Sequence, residues 1–144
     1  TPTTLERPPK ESPGILNQVD QKLSEHFTEI IKDVTTDLDN YRFHLASDKL
    51  YHYVWDEFAA KILEDSKNIF LSEDLPRQTG NQAKISRQQF LIDTLEKILI
   101  TLHPFMPFIT EEIWQSLPSN PPDLKGAQGL AGRGLLLIEK WPVN

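Results

Sequence analysis

Four side chains able to hold a metal or move a proton stand four residues apart: His44, Asp48, His52 and Asp56. On a helix that spacing lines them along one face. A metal centre would need more ligands converging from a facing helix. The flanking apolar stripes offer no histidine or carboxylate, so a solvated polar face is expected and no metal site. Glu111 and Glu112 could be taken for a pair of catalytic carboxylates. Adjacent helical residues point about 100° apart, so the two cannot clamp one bond. At the start of a helix they would instead complement the positive end of its dipole. The glycine-rich stretch from Gly126 to Gly134 lacks a Gly-Lys-Ser/Thr ending and precedes no helix, which argues against a phosphate loop. There is no nucleophile motif or dinucleotide fingerprint. The absence of cysteine excludes disulfides and cysteine-ligated zinc or iron–sulfur centres.

Nucleic-acid chemistry has a local footing only. The chain carries 15 basic and 21 acidic residues, a net charge of −6, which disfavours sequence-blind binding to RNA. Between Leu75 and Ile92, however, stand Arg77, Lys84 and Arg87 with no acid among them. Arg42-Phe43 sets a guanidinium beside an aromatic ring. Phosphate pairing and base stacking on unpaired RNA use these groups.

The elements that must position these groups read as helices. Val19, Leu23, Phe27, Ile30, Val34, Leu38 and Tyr41 step by three and four, a helical stripe that Asn40 should end. Lys22, Glu25, Glu29, Lys32, Asp33 and Asp37 lie around the rest of that cylinder. A second helix is expected over about 45–69, burying Ala46, Leu50, Tyr53, Val54, Phe58, Ile62 and Leu63, with Tyr51 and Trp55 widening the face. Residues 71–84, with Pro76, Gly80 and Asn81, read as a loop. A third helix carries Ile85, Leu91, Leu95, Ile98, Leu99 and Leu102 and ends at His103, before Pro104. Pro107 then starts a fourth, whose expected buried face is Phe108, Ile109, Ile113, Trp114 and Leu117. Tyr53, Trp55 and Trp114 all read as core.

The fold class expected is all-α: an antiparallel bundle of four main helices with a short extended C-terminal segment. Residues 1–14, rich in proline, read as a linker or extended arm. Residues 15–117 form the bundle. Residues 118–144 form a Pro/Gly-rich loop and a closing segment, in which Leu135–Ile138 is either a strand or a tail packed across the bundle. No run approaches the ~20 apolar residues of a membrane span. The chain begins at Thr1 and is expected to be a piece of a longer protein.

The stretch from Leu102 to Gln115, Leu-His-Pro-Phe-Met-Pro-Phe-Ile-Thr-Glu-Glu-Ile-Trp-Gln, resembles the helical anticodon-binding domain of class I aminoacyl-tRNA synthetases, in its valyl form. Asn40-Tyr41-Arg42-Phe43, Trp55-Asp56-Glu57-Phe58 and the closing Trp141-Pro142 match in the same order, so the resemblance spans about residues 20–142. Ala60, Lys61 and Ile62 depart from the Asp-Trp-Tyr run common there. The structural signature comprises His103, Pro104, Pro107, Glu111, Glu112 and Trp114. The resemblance implies that tRNA is the partner, held by its anticodon stem-loop, and that the rest of the synthetase chain is the other. It also implies that ATP with magnesium serves the full-length enzyme, while this piece holds no cofactor and catalyses nothing. A cytoplasmic, monomeric enzyme is expected. Local charge, rather than the resemblance, selects Arg42, Phe43, Arg77, Lys84 and Arg87 as the tRNA-binding candidates. A leucyl- or isoleucyl-type domain, a helical protein-interaction module and a metal-bearing bundle enzyme are the alternatives.

Overall fold

A computed structural model describes residues 15–72, 77–117 and 135–142. The expected arm over 1–14 and the loop over 118–134 lie outside the described residues. Helix α1 (Ile15–Asp39) is followed by α2 (Phe43–His52), a π-helical segment (Tyr53–Leu63) and α3 (Glu64–Leu71), which together make one continuous rod. Then come α4 (Arg77–Leu102), α5 (Pro107–Ser116) and a 3-10 turn (Leu136–Ile138). Among the described residues there is no strand, as the all-α reading expects.

Three apolar clusters hold the bundle. Phe27 and Ile31 of α1 pack with Tyr53, Phe58 and Ile62 of the rod and Ile98 of α4. The Phe27 and Tyr53 rings stack with centroids 4.2 Å apart. Val34 packs with Ala46 and Leu50, lined by Leu102, Phe105 and Trp141. Leu99, Trp114 and Leu136 form the third cluster. These contacts fix direction. Asp20 of α1 meets Arg87 early in α4, and Val34 meets Leu102 at its end, so α1 and α4 run parallel and the rod returns between them.

The rod extends the expected second helix, and its middle is wider than an α-helix. Its buried positions run Ala46, Leu50, Tyr53, Phe58, Ile62 and Ser66. The step of five from Tyr53 to Phe58 would swing off an α-helical face, and the i→i+5 pattern of a π-helix brings it back. Residues 77–84, expected as loop, belong to α4. Gly80 is buried there.

Helix α5 also departs from expectation. Trp114 and Thr110 are buried, while Phe108 is 91% exposed and Ile109 and Ile113 are exposed. The inward face is set by the elbow. His103 Nδ1 lies 2.9 Å from Thr110 Oγ1, whose hydroxyl donates to the Met106 carbonyl at 2.7 Å. With that single hydroxyl proton committed, the imidazole donates from Nδ1. Pro107 is the first residue of α5, as expected. Glu111 and Glu112 lie beyond the first turn, where the dipole field has faded. Glu111 acts as a fastener instead. Its Oε2 accepts from the Leu136 amide at 2.9 Å, tying the 3-10 turn to α5. Trp141 Nε1 donates to Thr35 Oγ1 at 2.8 Å, so the C-terminal segment is a tail across the bundle rather than a strand.

Candidate nucleic-acid interface

The turn between α1 and α2 presents its side chains to solvent. Helix α1 ends in a Schellman arrangement: the Arg42 amide donates to the Asp37 carbonyl at 2.8 Å and the Tyr41 amide to that of Leu38 at 3.0 Å. The left-handed residue this motif requires is Tyr41, at φ 59°. Glycine is the usual occupant, and a residue with a Cβ costs about 1–2 kcal/mol there. The Tyr41 side chain is spent on no core contact; the residue is 80% exposed. Phe43, 53% exposed, meets it edge-to-face with centroids 6.2 Å apart. Two aromatic faces thus stand at one end of the bundle. The stripe reading of α1 puts Tyr41 on the buried face and so misses it. The signal available is Asn40-Tyr41 at a helix end, a place where a left-handed capping residue is common.

Arg42 is held rather than loose. Its Nε and Nη2 donate to Asp37 Oδ1 at 2.9 and 2.8 Å, and Lys49 Nζ donates to Asp37 Oδ2 at 2.6 Å. Lys49 and Arg42 together hold the Asp37 carboxyl below the usual carboxylate range, and Asp37 in turn raises Lys49. Asp37 is therefore buried, not on the solvated side of the cylinder. The guanidinium keeps donors for an outer partner, in an orientation fixed by Asp37.

The other basic candidates do not join this end. Arg77 is exposed and Lys84 half-buried, both in the first turns of α4. Because α1 and α4 run parallel, these turns lie at the opposite end from the α1–α2 turn, roughly 30 Å away at 1.5 Å per residue. Arg87 is corrected outright. It is 5% exposed, and its Nη1 donates to Asp20 Oδ1 at 2.7 Å. It faces α1, with its guanidinium carbon 5.6 Å from the Phe90 ring centroid. A cation spent inside the protein offers nothing to a phosphate. Burial, opposed by Arg87, leaves the Asp20 carboxyl above its ordinary value.

On the rod, His52 Nδ1 lies 2.8 Å from Asp56 and its Nε2 3.6 Å from Asp48. The hydrogen bond to Asp56 raises the His52 pKa, with Asp48 adding to it. All three are solvent-facing, and among the described residues no three His, Asp or Glu side chains are placed to hold a metal ion. Trp55, expected in the core, is 64% exposed beside them. Among the described residues no helix is long and apolar enough to cross a membrane.

The chain matches the family described as "Anticodon-binding domain of tRNA ligase" over residues 20–144. It is 35% identical over 129 residues to a valine–tRNA ligase of Oceanobacillus iheyensis, covering 90% of this chain and 13% of that protein. It is 34% identical over 127 residues to one of Thermotoga maritima, covering 88% and 12%. Against one of Staphylococcus epidermidis it is 40% identical over 105 residues, covering 73% and 11%. The chain thus spans only about an eighth of the length of the relatives it matches. With an all-helical bundle, the elbow of His103 to Trp114 and a match over most of its length, the chain belongs to the anticodon-binding domain family of tRNA ligases.

Proposed function

We propose that this domain holds the anticodon stem-loop of a valine tRNA as part of a monomeric, cytoplasmic valine–tRNA ligase. The whole ligase joins valine to the tRNA with ATP and magnesium, and this domain supplies grip and no catalytic group. The observation that carries the reading is Tyr41: an exposed ring kept in a left-handed conformation that glycine would take at lower cost. Tyr41 and Phe43 offer faces to unpaired bases, and Arg42, oriented by Asp37, offers donors to a phosphate between them. Arg77 and Lys84, at the far end, take phosphates on a separate part of the same RNA.

Titration of the whole ligase with valine tRNA and with a non-cognate tRNA tests this reading. Phe43→Ala should weaken the cognate complex about tenfold or more, as loss of one stacked base does. Unchanged affinity would remove the α1–α2 turn from the interface.

A further inference from the structure

The C-terminal segment, residues 135–142, crosses from α5 to the last turns of α1. One end is held where Leu136 packs with Leu99 and Trp114 and its amide donates to Glu111. Residues 137–140 then run exposed. At the other end Trp141 is half-buried, and its Nε1 donates to Thr35 Oγ1 at 2.8 Å. The Thr35 hydroxyl gives its own proton to the Ile31 carbonyl at 2.7 Å, so its oxygen is set to accept from the indole.

Trp141 also reaches both arms of the α1–α2 turn. It packs on the cluster of Val34, Ala46 and Leu50, on which Leu38 packs too. Val34 and Leu38 belong to α1, and Ala46 and Leu50 to α2. The turn between these arms needs support. Tyr41 sits at φ 59°, a conformation that a Cβ disfavours about tenfold. A strained residue persists only where its surroundings over-determine it. Asp37 ties the arms on the polar side, through Arg42 and Lys49. The indole ties them through the apolar cluster, and no role in the turn is otherwise assigned to it.

We infer that Trp141 is a positioning residue for the RNA-facing turn: the C-terminal segment clamps the last turns of α1 to α2 and so keeps Tyr41 left-handed. The consequence for RNA rests on the proposed reading of that turn. The hold on the backbone does not.

Amide hydrogen exchange of the whole ligase without tRNA, read by mass spectrometry on the peptide spanning Tyr41 and Arg42, tests the hold. Rates are taken relative to those of the unfolded chain. Trp141→Ala should speed exchange there about tenfold, because the turn opens locally more often. Trp141→Phe, which keeps a ring and loses the indole donor, should do the same to a smaller extent, about threefold. Ile62→Ala, which cuts into the separate Phe27 cluster, should leave this peptide unchanged. Glycine takes the left-handed conformation without strain, so in a Tyr41→Gly background the effect of Trp141→Ala should fall to about twofold or less. The inference is overturned if neither Trp141 variant speeds exchange of this peptide beyond what Ile62→Ala does. It is equally overturned if Trp141→Ala speeds exchange as much with Gly at position 41 as with Tyr. In titrations of the whole ligase, Trp141→Ala should also weaken valine tRNA about threefold, since the competent turn is populated less of the time. Faster exchange with unchanged tRNA affinity would count against the RNA-facing turn and support the clamp alone.

Discussion

Replacing Tyr41 by glycine should move stability and RNA affinity in opposite directions. The Schellman turn holds residue 41 at φ 59°. Relieving a Cβ in that region gains about 1–2 kcal/mol. Glycine's extra freedom in the unfolded chain offsets about 0.5–1 kcal/mol of that gain. The edge contact with Phe43 is exposed on both sides, and losing it subtracts at most about 0.5 kcal/mol. The balance is a gain of roughly 0.5 kcal/mol, a rise in melting temperature of about 1–2 °C for a chain of this size. Affinity for valine tRNA should fall, because stacking of one base contributes about 1–3 kcal/mol. At the middle of that range the loss is roughly thirtyfold. Thermal unfolding followed by circular dichroism gives the first number, and titration of the whole ligase gives the second. If Tyr41→Gly lowers both stability and affinity, the ring is a structural part of the turn and the inference from strain to RNA contact is wrong. If affinity is unchanged, Tyr41 is strained for some other reason.

Two further outcomes follow from buried charge. Arg87→Met leaves Asp20 buried beside no cation and should cost about 3 kcal/mol, or roughly 10 °C in melting temperature. Because the Asp20 carboxyl already sits above its ordinary pKa, that deficit should shrink as acid protonates it, and adding Asp20→Leu should recover most of it. A melt unaltered by Arg87→Met would mean the pair does not tie α1 to α4. Asp37 titrates the other way. Its folded pKa is depressed, so its contribution is present above the unfolded value of about 4 and is lost as pH falls through the folded value. Asp37→Asn should therefore flatten the fall of melting temperature below about pH 4, and an acid limb identical to wild type would contradict this assignment.

Much of the bundle is legible in the sequence because its apolar residues recur at helical spacing. The inward positions Phe27, Val34, Ala46, Leu50, Tyr53, Phe58, Ile62 and Trp114 are all expected in the core and are buried. What escapes is information that spacing does not carry. Arg87 and Asp20 are 67 residues apart, so a local count reads one as free basic charge and nothing marks its partner. Pro76, Gly80 and Asn81 are loop-forming types, yet Gly80 and Asn81 lie in α4, where the surrounding helix overrides a weak local propensity. Trp55 and Phe108 have hydrophobicity suited to a core, yet both are exposed, and nothing in the residue type distinguishes a buried position from a solvent-facing one. Of the interface candidates, Phe43 and Arg77 are exposed, Arg42 is anchored, Lys84 is half-buried and Arg87 is interior. Tyr41 emerges from a backbone angle and not from composition.

Photo-cross-linking of the intact ligase to valine tRNA carrying a photoreactive base in its anticodon tests the central claim most directly. The adduct should map by mass spectrometry to the peptide containing Tyr41, Arg42 and Phe43. It should be lost on competition with unmodified valine tRNA. An adduct that maps elsewhere in the ligase, with none on residues 41–43, would contradict the assignment of the α1–α2 turn as the anticodon-facing end of the domain.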